Sequence, residues 1–392
     1  MVTESEEATP TAPTTPSFAA LMRYFVWLGT FGFGGPIASV GYMQRDLVEA
    51  RGWIARQDML DGIALGQTMP GPLAAQVAMW VGYLRRGSLG AIGTAAAFIA
   101  PSFLFVIALG ALYVRFQGLP WVRSAFYGVA PAVIAIVALA AYKLARLTDG
   151  KDVRLWVISL LIAAVTAITQ SEVAVLFVVA GLVILVWDAP PAWLRRPPRA
   201  ALMLVPGIGL PAVAAPGGLL ALFLFFLKAG AFIFGSGLAI VPFLKQGVIY
   251  EHHWLTQQQF FDSVAVGLIT PGPIVITATF IGYLVAGLPG AVVATVGIFL
   301  PIYIGVVVPG RWFTRHRDHP QIRAFVKGAT AAAAGAIAGA TIVLGRQAIV
   351  DLPTILIVCI SLAYLLKIRG RFKEPLLVLG AAGAGLLIRG LG

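Results

Sequence analysis

Gly66-Gln67-Thr68-Met69-Pro70-Gly71-Pro72 is answered 201 residues later by Gly267-Leu268-Ile269-Thr270-Pro271-Gly272-Pro273. The pairing extends outward from these two stretches. At the same shift Gly29, Phe31, Phe33, Gly34, Trp53, Gln57 and Asp61 fall on Gly230, Phe232, Phe234, Gly235, Trp254, Gln258 and Asp262. After a one-residue deletion the shift becomes 200, and Gly82-Tyr83, Gly87, Gly90, Pro101, Arg115, Pro120, Arg123 and Gly128 match Gly282-Tyr283, Gly287, Gly290, Pro301, Arg315, Pro320, Arg323 and Gly328. Chance alignment of apolar helices gives Leu, Ala and Val coincidences. Here the matches are Gly, Pro, Trp, Asp and Arg, in order, so the chain is an internal duplication.

Each copy is built for a bilayer. Hydrophobic residues make up 59% of the 392 residues and charged residues 11%, where a soluble domain carries roughly 25% charged. Nearly charge-free runs at 88–114, 124–142, 288–310 and 328–345 are long enough to span. The net charge of +12 is not a nucleic-acid signal. It sits in short loops, at Arg85-Arg86, Arg195-Arg196-Arg199, Arg311/Arg315/Arg317 and Lys367 to Arg371, as cytoplasmic loops of membrane proteins require. The single cysteine, Cys359, excludes an internal disulfide, and no Cys/His spacing suggests a metal site. No cofactor is expected.

The sequence therefore predicts an all-α polytopic membrane protein of about 12–13 transmembrane helices, in two inverted homologous repeats with broken helices. Residues 1–18 read as a flexible tail rather than a signal peptide, 19–188 as the first repeat, 189–216 as a linker, and 217–392 as the second repeat. Inversion rests on four loop pairs of alternating charge. Basic Arg85-Arg86 faces neutral Ala286, and the 143–154 loop with Lys143, Arg146, Lys151 and Arg154 faces a segment holding only Arg346. The 311–323 loop outweighs 115–122, and basic 367–373 answers the turn at Ser171-Glu172. A parallel repeat with uneven charge is the alternative. Six apolar segments per half (19–44, 59–84, 88–114, 124–146, 153–170 and 172–188 in the first) are an even number, so inversion requires a further crossing, for which 200–216 is the candidate. That leaves the N-terminus inside and the C-terminus outside. Whether 19–44 and 217–244 cross or re-enter is open.

Two helix-breaking motifs recur: Phe33-Gly34-Gly35-Pro36 with Phe234-Gly235-Ser236-Gly237, and the two Pro-Gly-Pro turns. Proline removes an amide donor and glycine frees the backbone. At membrane depth such backbone is tolerated only inside protein or beside a watery cavity. A break also creates a helix N-terminus, a ready anion site. One Pro-Gly-Pro reads as a packing kink; two equivalent copies beside two Gly-rich breaks favour a substrate site. Gly34, Gly35, Pro36, Thr68, Pro70, Gly71, Pro72, Gln76, Gly235, Ser236, Thr270, Pro271, Gly272, Pro273 and Thr277 are its candidate residues.

Ionisable residues inside apolar segments are functional candidates. Lys228, in Leu-Phe-Phe-Leu-Lys-Ala-Gly-Ala-Phe, either holds an oxyanion or snorkels to a membrane surface. Asp61 and Asp262, each nine residues before its Pro-Gly-Pro, either carry a proton or serve as helix-start acids. The glycines between Gly328 and Gly345 predict close helix packing. The absence of a G-x-x-x-x-G-K-[ST] motif argues against an ATP-driven pump.

At these motifs the chain resembles the chromate ion transporter family, in its long two-domain bacterial form. The resemblance is carried by Phe33-Gly34-Gly35-Pro36, by Gly66 to Gln76, by Gly82-Tyr83, by Ala97-Phe98-Ile99-Ala100-Pro101-Ser102-Phe103 and by Phe126-Tyr127-Gly128-Val129. It covers nearly everything outside the tail and the 189–216 linker. It implies export of chromate from the cytoplasm across the bacterial inner membrane, driven by proton antiport, with sulfate as the natural competitor. Two departures bear on substrate choice: Ser39 stands where the family pattern implies His, and Gly235-Ser236-Gly237 lacks the proline of its partner. The implied partners are a chromate- or sulfate-like oxyanion, protons and the lipid bilayer, with a homodimer as the oligomer to test. Sulfate exchange, a passive anion channel and a chromate-reducing enzyme are the rival readings. The last lacks the thiols or dinucleotide motif it needs.

Overall fold

The computed structural model describes residues 16–32, 35–116, 120–169, 174–190, 218–233, 240–310, 312, 319–368 and 372–390. The expected crossing at 200–216 and the tail up to residue 15 lie outside the described residues. Among those described, every regular element is a helix.

The segment 19–44 folds back on itself. Helix α1 (Phe18–Phe31) is capped by the Ser17 hydroxyl, which accepts from the Ala20 amide. It stops at Gly32, and α2 (Gly35–Met43) returns through a π-helical turn, Gln44–Ala50. Tyr24 Oη reaches Asp46 Oδ2 at 3.4 Å although 22 residues separate them. A straight helix would hold them about 33 Å apart. The second hairpin follows the same logic. Helix α3 (Arg56–Thr68) and the first limb of α4 (Leu73–Phe116) fold back at the Pro-Gly-Pro turn, and Trp80 Nε1 donates to the Asp58 carbonyl at 2.8 Å. Helix α4 then bends at Arg86-Gly87, where Gly87 has φ +58, and its second limb runs on to Phe116. Helices α5 (Pro120–Asp149), α6 (Val153–Thr169) and α7 (Ala174–Asp188) complete the half.

The second half repeats this order. Helix α8 (Leu219–Ala231) and α9 (Ile240–Lys245) with its π-helical turn Gln246–Glu251 form one pair. Helix α10 (Gln257–Ile269), a 3-10 turn (Ile274–Ile276) and α11 (Thr277–Val307) form the other. Helix α11 bends at Ala286-Gly287, again with glycine φ +58. Helices α12 (Pro320–Ala348), α13 (Leu352–Lys367) and α14 (Lys373–Gly390) follow. Of the apolar segments expected from the sequence, then, two per half are hairpins folded at their glycine and proline breaks. The reason is local: each break removes amide donors where the ladder would have continued.

The two long bent helices cross-pack. Tyr303 Oη donates to the Ser88 carbonyl at 3.3 Å, whereas Gly110, further along α4, abuts the Tyr283 ring, nearer the start of α11. Tyr283 lies beside the start of the second limb of α11, because Gly282 abuts Gly290 across the bend, so the second limbs of α4 and α11 run antiparallel. Gly310 meets Tyr83 as Gly110 meets Tyr283, a reciprocal contact.

Helix α12 inserts its small face between α6 and α7, as the glycine spacing predicts. A β-carbon at Gly335 would stand 2.2 Å from the Ser159 carbonyl oxygen. Where these helices meet the surface, Asp152 in the α5–α6 turn binds Arg154 at 2.9 Å and Lys327 of α12 at 3.0 Å. Arg154 also pairs with Asp188 at 2.8 Å. Hydrogen bonds from Arg154 and Lys327 hold the Asp152 carboxyl well below the usual carboxylate range.

Candidate functional site

Each Pro-Gly-Pro turn lies against the other half of the chain. The Gly71 amide donates to the Ile233 carbonyl at 2.5 Å, tying the first half's turn to the residue that precedes the second half's Gly-rich break. The Ser102 hydroxyl lies 2.5 Å from the Pro271 carbonyl oxygen and 3.5 Å from that of Gly29, so it joins the second half's turn to the end of α1. Ser102 and Ile302 are equivalent under the duplication, and Ile302 faces Gly71 as Ser102 faces Gly272. Each turn therefore rests on the long helix of the opposite half.

Glycine is required at both positions. Gly71 has φ +140 and Gly272 φ +95, where an L side chain is strained. A β-carbon at Gly272 would stand 2.5 Å from Ser102 Oγ; one at Gly71 would stand 2.9 Å from Gln76 Nε2 and from Ile302 Cγ2. The chain restarts as helix at Leu73 and, through the 3-10 turn, at Ile274. Both helix N-termini lie inside the protein; Ala75 and Gln76 donate to the Pro72 carbonyl and Ile276 to that of Pro273, so the amides of Leu73, Ala74, Ile274 and Val275 are the ones with no helical acceptor.

The polar side chains nominated by the sequence hold these turns. Gln76, 1% exposed, donates from Nε2 to the Met69 carbonyl at 3.1 Å and the Pro70 carbonyl at 3.0 Å. Its Oε1 is buried with no partner among the described residues. Thr277, its equivalent, donates to the Ile274 carbonyl at 2.8 Å, and Thr270 to the Val266 carbonyl at 2.6 Å. These donors are committed to backbone oxygens, which leaves the helix-start amides as donors for an anion. Gly35 and Pro36 open α2, and Thr68 closes α3. Gly34, Gly235 and Ser236 lie outside the described residues.

Lys228 sits on the exposed side of α8, its ammonium 5.6 Å from the Phe243 ring centroid. No hydrogen bond or ion pair ties it to the turns among the described residues.

Asp61 and Asp262 occupy equivalent places with matched partners. Gln57 donates to Asp61 at 2.8 Å and Gln258 to Asp262 at 2.9 Å. Asp262, 1% exposed, also accepts from the Tyr113 hydroxyl at 2.6 Å. Position 313, the equivalent of Tyr113, is Phe, so that hydroxyl belongs to one half only.

Each carboxylate lines its own cavity. Asp61 lies with Asp58, Trp80, Tyr83 and Arg85 around about 580 Å³. Asp262 lies with Tyr113, Tyr127, Gln258, Gln347 and Arg389 around about 560 Å³. The first cavity includes Gly87 and the second Tyr113, about 39 Å apart along the second limb of α4 at 1.5 Å per residue. The two cavities open at opposite ends of that limb.

Sequence reasoning missed Ser102, Tyr113 and Lys245. Lys245, at the end of α9, is 3% exposed with no hydrogen-bond partner for its Nζ among the described residues. Its signal was present: a cation directly after the apolar Ile240-Val241-Pro242-Phe243-Leu244. Ser102 and Tyr113 sit in segments whose partners are about 150–170 residues away, and no local pattern marks them.

Bent helical pairs and apolar exteriors define a multi-pass helical membrane protein built from two repeats. The chain belongs to the chromate transporter family, whose model matches residues 19–187 and 220–386. It is 53% identical to the chromate transport protein of Cupriavidus metallidurans over 96% of this chain and 94% of that one. It is 49% identical to a probable chromate transport protein of Synechococcus elongatus over 95% of both. A chromate transport protein of Pseudomonas aeruginosa is 29% identical over 98% of this chain and 95% of its own. No solved structure matches.

Proposed function

We propose that this protein exports chromate from the cytoplasm across the bacterial inner membrane by proton antiport. In this reading its two halves are inserted in opposite orientations and its substrate site lies at the two Pro-Gly-Pro turns, each seated on the opposite half. The observation that carries the reading is the reciprocal seating of each turn on the other half's long helix, at Ser102 and Ile302. An inverted pair of repeats that shares one interior site can open it to either side by rocking one half against the other. The antiparallel limbs of α4 and α11 support that geometry.

The helix starts after Pro72 and Pro273 supply amides and a positive dipole end to a tetrahedral dianion. Asp61 and Asp262, beside cavities at opposite ends of α4, are the proton carriers. Asp262 with Tyr113 is the stronger carrier because it is the more enclosed. Backbone amides do not separate chromate from sulfate, so sulfate competes.

Chromate uptake into everted membrane vesicles under an imposed pH gradient tests this reading. Gradient-dependent accumulation that sulfate suppresses is expected. Accumulation no greater than in vesicles lacking the protein would overturn it.

A further inference from the structure

Lys245 presents a charge whose partner is missing. It lies where α9 passes into the π-helical turn Gln246–Glu251, and such turns inside helices often mark functional positions. Its side chain is 3% exposed, and among the described residues neither a carboxylate nor a carbonyl meets its Nζ. The one stabilising contact is the face of Tyr250, with the ring centroid 5.6 Å away, near the outer limit of useful cation–π attraction. Burying an ammonium without a counter-charge is strongly unfavourable, and either the amine gives up its proton or an anion joins it.

A second orphan shares its neighbour Tyr250. Gln347 Nε2 lies 3.4 Å from the Tyr250 hydroxyl, and Gln347 Oε1 is buried with no partner among the described residues. Turned end for end, the amide would accept from Tyr250 and present N–H donors where the orphaned oxygen now lies; the two orientations have the same shape. Gln347 also lines the Asp262 cavity. The acids around that cavity are occupied: Asp262 by Tyr113 and Gln258, and Asp351 by the Tyr127 hydroxyl. Arg389, stacked over Tyr127 at 4.1 Å, is the cation on the wall. The cavity therefore offers an anion one cation on its lining and a second behind Tyr250.

We propose that Lys245, with Gln347, forms an oxyanion-binding station beside the Asp262 cavity, around Tyr250, taking a tetrahedral dianion as its ligand. The station exists in one half only, since the residue equivalent to Lys245 is Gln44. It makes the two faces of the transporter unequal in their affinity for the anion. The inference rests on the transport reading above and adds a residue and a polarity to it.

The test is concentration-dependent uptake of chromate, and of the monoanion nitrate as a weaker probe, into proteoliposomes containing wild-type protein, Lys245→Met, Lys245→Arg or Gln347→Leu. Loss of one charge-assisted contact predicts a half-saturating chromate concentration raised roughly 10- to 100-fold in Lys245→Met. Lys245→Arg should recover most of the affinity, and Gln347→Leu should show a several-fold rise. The penalty should be smaller for nitrate, because a single charge is attracted less. Wild-type half-saturation in Lys245→Met, or an equal penalty for both anions, would overturn the station. If Lys245→Met does not assemble, unchanged affinity in Gln347→Leu does the same. Wild-type protein that transports no oxyanion would instead overturn the transport reading itself.

Discussion

Replacing Gly272 by Ala puts two separate costs on the second turn. The backbone there has φ +95, which costs a side-chain-bearing residue about 1–3 kcal/mol. The new β-carbon also lies 2.5 Å from Ser102 Oγ, and overpacking of this kind costs about 1–3 kcal/mol more. Ser102→Ala alone removes the donor to the Pro271 carbonyl, and a buried acceptor left unpaired costs about 1–3 kcal/mol. In the double variant the offending oxygen is gone, and the nearest remaining atom, the residue 102 β-carbon, is 3.6 Å away in ordinary contact. The overpacking cost disappears while the strain and the lost hydrogen bond remain. The double variant should therefore be about 1–3 kcal/mol more stable than the single variants predict by addition. Equilibrium unfolding of purified protein in mixed detergent–SDS micelles measures this. Additive or worse-than-additive destabilisation would refute the seating of the turn on Ser102.

Gln76→Leu leaves the Met69 and Pro70 carbonyls without their donor, so the protein should insert normally but lose about 1–3 kcal/mol per orphaned carbonyl and transport poorly. Thr277→Val, which gives up one such bond, should cost less; unfolding and flux measured side by side decide this. Asp262→Asn should abolish pH-gradient-driven flux, with Tyr113→Phe reducing it by about an order of magnitude through loss of one hydrogen bond to a carboxylate. Flux through Tyr113→Phe at the wild-type rate would remove that pair from the mechanism. Asp152 carries a depressed pKa in the folded protein, so its contribution is complete above the ordinary carboxylate value of about 4 and fades as pH falls below it. Apparent melting temperature should fall progressively as pH drops below about 4, and Asp152→Asn should flatten that dependence.

The duplication and its breaks were readable because glycine and proline write backbone requirements directly into sequence. Gly71/Gly272 and Gly87/Gly287 take up positive φ in matched pairs, and the spacing that reveals the repeat also locates the bends. Segment depth was not readable. The run 19–44 has the length and apolarity of a span, and only the closure of Tyr24 on Asp46 shows that it returns. The site was legible as backbone and illegible as side chains. Gln76, Thr270 and Thr277 stood out as polar groups beside the turns, but their donors go to nearby backbone carbonyls, a destination set by rotamer and register. Lys228 drew attention as the cation in an apolar run, yet which face of α8 carries it depends on the neighbours. The packing exposes Lys228 and buries Lys245. Asp61 and Asp262 were found through the repeat, whereas Tyr113 crosses from the other half and leaves no local trace.

The central claim is that an oxyanion moves outward in exchange for protons. Purified protein in proteoliposomes with an acid lumen, with the membrane potential held at zero by potassium and valinomycin, isolates the pH gradient as the only driving force. The account predicts chromate accumulation inside above the external concentration, collapsing on addition of nigericin. Chromate that equilibrates to the external concentration whether or not the gradient is present would contradict it.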